Sequence, residues 1–307
     1  MLIEPVLKST ILEGQTAIVT GGSRGIGGAA SEMLAANGAH VIIADLDNEA
    51  AEEEAELIST AYGKDSVSTF IADLAAPEVC DKLVKHALDT HGDLDIVVNN
   101  AGYTWDGGIH SMTDDQFQAM LEIHAVVPFR IGRACAPYYR RAAADDEARG
   151  IERHRRTIMV SSMAAQWGLV GAANYATGKS AMLGLMRTMA QEWGKYRVNV
   201  NAVAFGGVQT RFGVAQSDYQ VIETGGRKIH VGVAHKRAEK LGLRLERDEP
   251  PSQEEIYTPR KNSNTLFGRN GTVREAADAI FWLASPLSDF VTGQVIAVSG
   301  GATGGMS

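Results

Sequence analysis

Short apolar segments alternate with helical segments along almost the whole chain, and this alternation limits the possible folds more than any other feature. Each segment of strand length is followed by a stretch in which apolar residues recur at helical spacing. Seven segments have the length and composition of strands, at 16–20, 40–45, 67–73, 94–102, 157–162, 198–204 and 294–301. Because whole helices separate these strands, the strands pair in parallel through right-handed crossovers and not as hairpins.

The pattern predicts an α/β fold, a single doubly wound (Rossmann-type), mostly parallel sheet of about seven strands with helices on both faces. We expect residues 1–307 to form one domain, and a hydrophobic content of 45% with 33 glycines is typical of such a domain. Two segments are longer than ordinary connections. The charged segment 142–156 is predicted to be a solvated surface insertion, and 212–264 to be a substrate lid or a contact to another subunit.

Charge and composition argue against several classes of protein. The net charge of −8 disfavours a nucleic-acid partner, since such surfaces neutralise phosphates with Lys and Arg. Cys80 and Cys135 lack partners at metal-ligand spacing and form no disulfide framework, so we expect core residues, no metal and a reducing cytoplasm. No run approaches about 18 apolar residues, and residues 1–14 do not resemble a signal peptide. We therefore expect a soluble, cytoplasmic protein without a membrane partner.

In a doubly wound sheet, ligands bind at the carboxyl ends of the strands. The first strand ends in TGGSRGIGG, a T-G-x-x-x-G-x-G turn that leads directly into a helix. Glycines there allow a pyrophosphate to approach the backbone, and the helix N-terminus offers free N–H donors. Asp45 ends the second strand, where a carboxylate can accept hydrogen bonds from an adenosine ribose. Asp45 could instead cap the segment that follows.

The stretch ANYATGKSA at 173–181 places Tyr175 and Lys179 four residues apart on a predicted helix. Positions i and i+4 share one helix face, and a Lys ammonium near a phenol lowers the Tyr pKa from its usual value of about 10. Such a phenol can pass a proton near neutral pH. Ser162, at the end of the fifth strand, can converge on the same point. Taken alone, Tyr175 and Lys179 could also be an ordinary surface pair.

These motifs follow one another in an order that resembles the short-chain dehydrogenase/reductase family. After the glycine turn come Asp45, Asp73, N-N-A-G at 99–102, Ser162, Y-x-x-x-K and a closing TGQVIAVSGG. The resemblance covers nearly the whole chain and is greatest to the branch that resembles 3-oxoacyl-carrier-protein reductases. It implies an oxidoreductase that transfers a hydride between a nicotinamide and a small-molecule carbonyl or secondary alcohol.

The resemblance also assigns roles to individual residues. Tyr175 is expected to be the general acid/base, Ser162 to hydrogen-bond the substrate oxygen, and Lys179 to bind the nicotinamide ribose and lower the pKa of Tyr175. The dinucleotide is expected to contact a set of strand-end residues: Gly21, Ser23, Arg24, Gly25, Ile26, Gly27, Asp45, Leu46, Asp73, Leu74, Asn100, Ala101, Gly102, Tyr175, Lys179, Gly206, Val208 and Thr210. Members of the family are commonly tetramers, which implies a homotetramer or a homodimer.

Two residues depart from the family pattern. His124 stands where the family usually has an Asn that holds a water between the active-site Lys and solvent. A His can also bond a water, but it titrates near pH 6.5, so His124 is a further candidate catalytic residue. It could equally be a satisfied buried His with no catalytic role. Phe205 replaces the usual Pro before Gly206 and is expected to reshape the nicotinamide side of the pocket.

The choice of cofactor depends on charges at the ribose. NAD is expected over NADP, because Asp45 would lie where a 2′-phosphate must sit. Arg24 inside the glycine turn favours NADP, but its contact with the ribose is less direct.

Two other functions remain open. One is a catalytically silent dinucleotide-sensing or scaffold protein, which the intact Ser162, Tyr175 and Lys179 disfavour. The other is a dehydratase or epimerase, which would need further acid/base groups.

Within 212–264, the sequence begins like a hairpin at Gly225–Gly226 and continues as a basic helical segment. Six cations make this part positive within an acidic chain: Arg227, Lys228, Lys236, Arg237, Lys240 and Arg244. Such a patch could attract an anionic acyl thioester, as an acyl-CoA or carrier-protein substrate. The charges could also be solvated or contact a neighbouring subunit.

Overall fold

A computed structural model describes residues 10–215, 221–233, 238–239, 243, 245 and 249–302. Seven parallel strands form the central sheet in the order β3-β2-β1-β4-β5-β6-β9. They are β1 Thr16–Thr20, β2 His40–Asp45, β3 Val67–Ile71, β4 Ile96–Asn99, β5 Arg155–Ser162, β6 Val198–Phe205 and β9 Val295–Val298. The predicted doubly wound sheet is confirmed.

Helices cover both faces of this sheet. In the described part of the chain they are α1 Gly25–Ala36, α2 Asn48–Tyr62, α3 Val79–His91, α4 Asp114–Leu121, α5 Val127–Ala148, α6 Ala164–Trp167, α7 Ala173–Trp193, α8 Gln253–Tyr257 and α9 Val273–Ala284. One core cluster includes side chains of α3, α5 and α7, and the other includes side chains of α1, α2 and α9. Strands β1 and β6 are buried along their whole length, as expected for a sheet covered on both sides.

The helical region between β4 and β5 is divided by an irregular turn. Helix α4 begins with a capping box between Thr113 and Gln116, and a π-helical turn at Glu122–Val126 joins it to α5. Such turns insert one residue into a helix and are frequent at functional sites. The turn contains His124, so the irregular geometry coincides with one of the candidate catalytic residues.

The predicted solvated insertion at 142–156 is wrong at both of its ends. Residues 142–148 continue α5, and residues 155–156 begin β5. Arg155 is only 2% exposed and donates to the buried Asp146 at 2.7 Å, while the buried Arg156 pairs with Asp289. Paired charges of opposite sign can be buried where single charges cannot. Residues 149–152, in the middle of the segment, are exposed.

The described part of the 212–264 insertion contains the predicted hairpin. Strands β7 Val221–Thr224 and β8 Arg227–His230 pair antiparallel around Gly225 and Gly226, which both have positive φ. Two-residue turns of this kind favour glycine because both central residues have positive φ. The predicted basic helical segment falls largely outside the described residues, including Lys236, Arg237, Lys240 and Arg244.

The methionines of α7 belong to the core. Met182 and Met186 are 0% exposed, and Met189 is 5% exposed. They therefore pack within the core of a single chain. Within the residues that the structure describes, no helix combines the length and the apolar character needed to cross a bilayer.

Candidate active site

A cavity of about 910 Å³ opens at the carboxyl ends of β1, β2, β4, β5 and β6. Every residue that the sequence assigned to catalysis or to the dinucleotide lies on its wall. The cavity extends from Asp45, at the end of β2, to Thr210, beyond the end of β6. The parallel topology explains this convergence, because the strands of such a sheet all end at one edge.

The glycine turn has the geometry needed for a pyrophosphate. A Cβ at Gly27 would lie 1.9 Å from the carbonyl oxygen of Gly21, so position 27 tolerates no side chain. The Asn100 amide fixes the turn by donating to the carbonyl oxygens of Thr20 at 3.0 Å and Gly21 at 2.9 Å. Helix α1 begins at Gly25, on the cavity wall, and its N-cap side chain makes no hydrogen bond to the helix. The first N–H groups of the helix are therefore available to bind an anion in the cavity. These residues fit a dinucleotide.

Asp45 has a structural role as well as its position at the predicted ribose site. Its Oδ2 accepts hydrogen bonds from the backbone N of Ser23 at 3.1 Å and from the Ser23 hydroxyl at 2.6 Å. Its Oδ1 accepts from the backbone N of Leu46 at 2.7 Å and of Asp47 at 3.1 Å. Asp47 caps helix α2. The carboxylate is therefore held in a fixed orientation between the glycine turn and the start of α2.

Two guanidinium groups lie at the same end of the cavity. Arg24 forms an ion pair with Asp47 at 3.2 Å, which compensates much of its charge. Arg211 lines the cavity as well; burial lowers its pKa, and the nearby Asp45 carboxylate opposes that effect. Arg211 directly follows Thr210 in the sequence, but no motif singled it out as a site residue.

Asp73 binds another part of the protein. Its Oδ1 accepts hydrogen bonds from the Thr224 hydroxyl at 2.7 Å and the Ala75 backbone N at 3.0 Å. Its Oδ2 accepts from the backbone N of Gly225 at 2.7 Å. The residue lies on the cavity wall, as predicted, yet the contacts it makes hold the β7–β8 hairpin.

Ser162, Tyr175 and Lys179 meet on the other side of the cavity. The end of β5 carries Ser162, and Tyr175 lies in the first turn of α7. Asn174 positions Tyr175: it is fully buried and donates to the carbonyl oxygens of Trp105 at 2.9 Å and Gln116 at 3.0 Å. Its own Oδ1 accepts from the backbone N of Tyr175 at 2.8 Å.

The protonation of this group differs from the sequence-based expectation. Lys179 is 4% exposed, donates to the Val160 carbonyl oxygen at 2.7 Å and lies 5.8 Å from the centre of the Tyr175 ring. Burial lowers the pKa of Lys179 from 10.5 to about 7. Burial also raises the pKa of Tyr175, against the opposing effect of a hydrogen bond from Ser162. The expectation that Lys179 lowers the Tyr175 pKa is wrong for this structure, because desolvation of the phenol dominates.

His124 packs edge-on against Tyr175, with 5.2 Å between the ring centres. Its Nε2 donates to the Tyr103 carbonyl oxygen at 3.0 Å, which leaves Nδ1 as a buried acceptor without a partner among the described residues. Burial, together with the positive charge of Lys179, lowers the pKa of His124 well below 6.5. The residue is therefore neutral at pH 7. Gly102 and Gly178 leave room for the ring, since a Cβ at Gly102 would lie 2.4 Å from His124 Cε1.

Several cavity residues were not predicted from the sequence. Asp106 lines the cavity, and its carboxylate adds to the rise in the pKa of Tyr175. Asn262 donates to Asn270 at 2.8 Å, and Asn270 donates to Gln209 at 3.2 Å, beside Gly207. Asp106 follows the N-N-A-G motif closely enough to have been considered. Gln209 lies between the predicted residues Val208 and Thr210, whereas Asn262 and Asn270 lie in and beyond the insertion, where no pattern pointed to them.

Comparison with known proteins gives concordant matches. The family model described as short chain dehydrogenase matches residues 15–220, and one described as Enoyl-(Acyl carrier protein) reductase matches residues 248–303. The 3-oxoacyl-[acyl-carrier-protein] reductase of Vibrio cholerae serotype O1 is 32% identical over 292 residues, covering 94% of this chain and 98% of that protein. The corresponding reductase of Escherichia coli K12 is 30% identical, covering 94% and 97%. The short-chain reductase protein NovJ of Streptomyces niveus is 31% identical, covering 93% and 92%.

Proposed function

This chain belongs to the short-chain dehydrogenase/reductase family, and we propose that it is a NAD-dependent oxidoreductase acting on a carbonyl or secondary alcohol. The observation that carries the proposal is the meeting of Ser162, Tyr175 and Lys179 on the wall of the cavity that contains the glycine turn. A protein that only sensed the dinucleotide would need the turn but not these three side chains.

A bound dinucleotide would supply or accept the hydride. In the direction of reduction, Tyr175 donates its phenolic proton to the substrate oxygen, and the Ser162 hydroxyl hydrogen-bonds the same oxygen as negative charge develops. A raised Tyr175 pKa keeps this proton in place at neutral pH, which suits reduction. Alcohol oxidation requires the phenolate and is expected to accelerate as the pH rises. We expect Lys179 to bind the nicotinamide ribose.

The preference for NAD rests on Asp45. Hydrogen bonds from Ser23, Leu46 and Asp47 fix its carboxylate, so the charge cannot easily turn away from a 2′-phosphate. Like charges a few ångströms apart cost on the order of 1–4 kcal/mol. Arg24 and Arg211 oppose this, but Arg24 is already paired with Asp47. We expect kcat/KM to be higher with NAD, and comparable values for the two cofactors would contradict the preference.

We propose that 212–264 is a substrate lid. Apolar side chains of its described part, including Phe212, Ile222 and Val233, face the cavity, where they would exclude water from the reaction. The relatives named as 3-oxoacyl-[acyl-carrier-protein] reductases make an acyl thioester one candidate substrate. Of the six predicted cations, Arg227 is paired with Asp115, and Lys228 is exposed. If the substrate is anionic, its KM should rise with salt, because screening weakens exposed charge contacts.

A panel of ketones, alcohols and acyl thioesters, assayed with both dinucleotides while NADH fluorescence reports binding, tests the proposed function. Turnover of any panel member that is lost in Tyr175→Phe supports it. Dinucleotide binding without turnover of any substrate would favour the sensing or scaffold role.

We also propose that the protein is a homotetramer or a homodimer in the cytoplasm. Size-exclusion chromatography coupled to light scattering measures the mass of the assembly directly.

A further inference from the structure

We propose that Asp73 is a positioning residue that fastens the β7–β8 hairpin over the dinucleotide end of the cavity, so that the hairpin must detach before the dinucleotide leaves. This inference rests on the proposed function, because it concerns how that function's cofactor is held. The proposed lid as a whole covers the substrate, whereas this inference concerns only its β7–β8 hairpin, which is proposed to retain the cofactor.

Three short hydrogen bonds converge on Asp73. A carboxylate has about four acceptor positions, and three of them are used by the Thr224 hydroxyl, the Gly225 backbone N and the Ala75 backbone N, at 2.7, 2.7 and 3.0 Å. Thr224 is 5% exposed, so its bond is shielded from water. Hydrogen bonds to a charged acceptor are stronger than neutral ones. Asp73 also lines the cavity, so this attachment lies at the cavity wall.

The hairpin turn lies far across the sheet from the strand that precedes it in the sequence. The insertion follows β6, but its turn contacts the loop after β3, and β5, β4, β1 and β2 lie between these two strands in the sheet. Five strand spacings correspond to about 24 Å. Thr210, just after β6, and the turn at Gly225 therefore lie toward opposite sides of the edge at which the cavity opens. Its first strand, Val221–Thr224, forms part of the cavity wall.

Two further contacts keep the hairpin in place. Ile229 of β8 is 0% exposed and belongs to the core cluster that contains Leu74 and Tyr103. Arg227 donates from Nε to Asp115, at the start of α4, at 2.6 Å. Both groups of this ion pair are partly exposed, so the pair contributes less than a buried bond would. Asp73 is thus the strongest polar attachment of the hairpin to the rest of the domain among the described residues.

The test compares Thr224→Val, which removes the hydroxyl at nearly constant volume, with Thr224→Ser, which keeps it. The dissociation rate of NADH is measured by displacement in a stopped-flow fluorimeter. We expect Thr224→Val to dissociate about tenfold faster or more, as for the loss of one bond to a charged acceptor, and Thr224→Ser to remain near the wild type. Arg227→Gln should accelerate dissociation less, and Lys228→Gln, on the same strand, should not.

Hydrogen exchange of the protein without cofactor provides a second readout that does not depend on turnover. Amides of residues 221–230 should exchange faster in Thr224→Val and in Asp73→Asn, while the strands of the central sheet keep their protection. Unchanged exchange in both variants would overturn the role of Asp73. Faster exchange with an unchanged NADH dissociation rate would overturn retention by the hairpin. If the wild type binds no dinucleotide, the proposed function fails, and the exchange data still decide whether Asp73 holds the hairpin.

Discussion

The two ends of the cavity differ in how their charged side chains are buried and paired. At the catalytic end, Lys179 and His124 are almost completely buried, and neither has a counter-ion among the described residues. At the end lined by the glycine turn, Arg24, Asp47 and Asp45 are partly exposed and form ion pairs or accept backbone hydrogen bonds. Burial therefore shifts the pKa values of Lys179 and His124 at one end, whereas an ion pair and backbone hydrogen bonds hold the charged groups at the other.

This difference has a consequence for function. Buried groups without counter-ions shift their pKa toward the neutral form, which brings Lys179 to about 7 and keeps His124 neutral. Lys179 can therefore change protonation during a reaction near neutral pH, whereas His124 stays neutral. Ion pairs that are exposed to solvent contribute little free energy and are easily broken. The substitutions below test whether the catalytic end depends on burial in this way.

Removing the phenol should have the largest effect. Tyr175→Phe is expected to reduce kcat by about 10²–10⁴-fold, the usual loss for a general acid/base. NAD affinity should stay within a few-fold, because the ring still packs against His124. Steady-state kinetics and NADH fluorescence titration measure the two quantities. Near wild-type turnover in this variant would show that another residue donates the proton.

The buried Lys179 ammonium should lower the free energy of unfolding, although the residue is needed for the reaction. The folded pKa of Lys179 is about 7, against 10.5 ordinarily, so the penalty for its charge is complete below pH 7 and disappears above pH 10.5. The shift in the pKa of Lys179 corresponds to about 5 kcal/mol of unfolding free energy, which the variant regains. Lys179→Met also leaves the Val160 carbonyl without its hydrogen-bond donor, and this loss costs about 1–3 kcal/mol. We expect the variant to lose turnover and to gain about 2 kcal/mol of unfolding free energy at pH 6–7.

Urea unfolding of the cofactor-free protein from pH 6 to pH 10 measures this gain. The free energy of unfolding should rise less with pH in the variant than in the wild type, because the variant lacks the Lys179 ammonium. Lys64→Met, at an exposed position, is the matched control and should leave the pH dependence unchanged. A variant that is less stable than the wild type across this range would mean that burial of Lys179 is compensated by groups other than Val160.

Much of this site could be predicted from the sequence because parallel strands end at one edge. The strands β1 and β2 have the predicted limits, and the glycine turn, Asp45, Ser162, Tyr175 and Lys179 all follow from strand ends and helix spacing. These relations are local: a few residues in one element determine where each side chain lies. The segment order then brings the elements together.

The remaining features depend on contacts between distant parts of the chain. Asp73 bonds Thr224, 151 residues away, and Arg156 pairs with Asp289, 133 residues away. No spacing rule connects such residues, so the sequence could not reveal that Asp73 holds a hairpin or that charges near 155 are buried. The raised pKa of Tyr175 was missed for a related reason, since desolvation depends on everything packed around the phenol.

Asp106 offers a smaller and more specific test of the catalytic end. The groups facing the Tyr175 phenol are Ser162, Asp106, His124 and Lys179, and Asp106 is the anionic one among them. Asp106→Asn removes a charge that opposes the phenolate, so the pKa of Tyr175 should fall. The rising limb of kcat/KM for alcohol oxidation is then expected at lower pH. An unchanged limb, with kcat preserved, would mean that Asp106 does not influence the phenol.

The smallest effect is expected for His124→Asn, which introduces the residue usual in the family. Because the pKa of His124 lies well below 6.5, the imidazole is neutral throughout the working range. Its Nδ1 is an acceptor, and the Asn side-chain oxygen can also accept a hydrogen bond. We therefore expect kcat within a few-fold of the wild type, with no change in the pH profile between pH 6 and 7. Since a lowered His pKa destabilises the folded state in acid, unfolding experiments below pH 6.5 should show a smaller loss of stability in the variant. A folded but inactive His124→Asn would mean that the imidazole itself is required for the reaction.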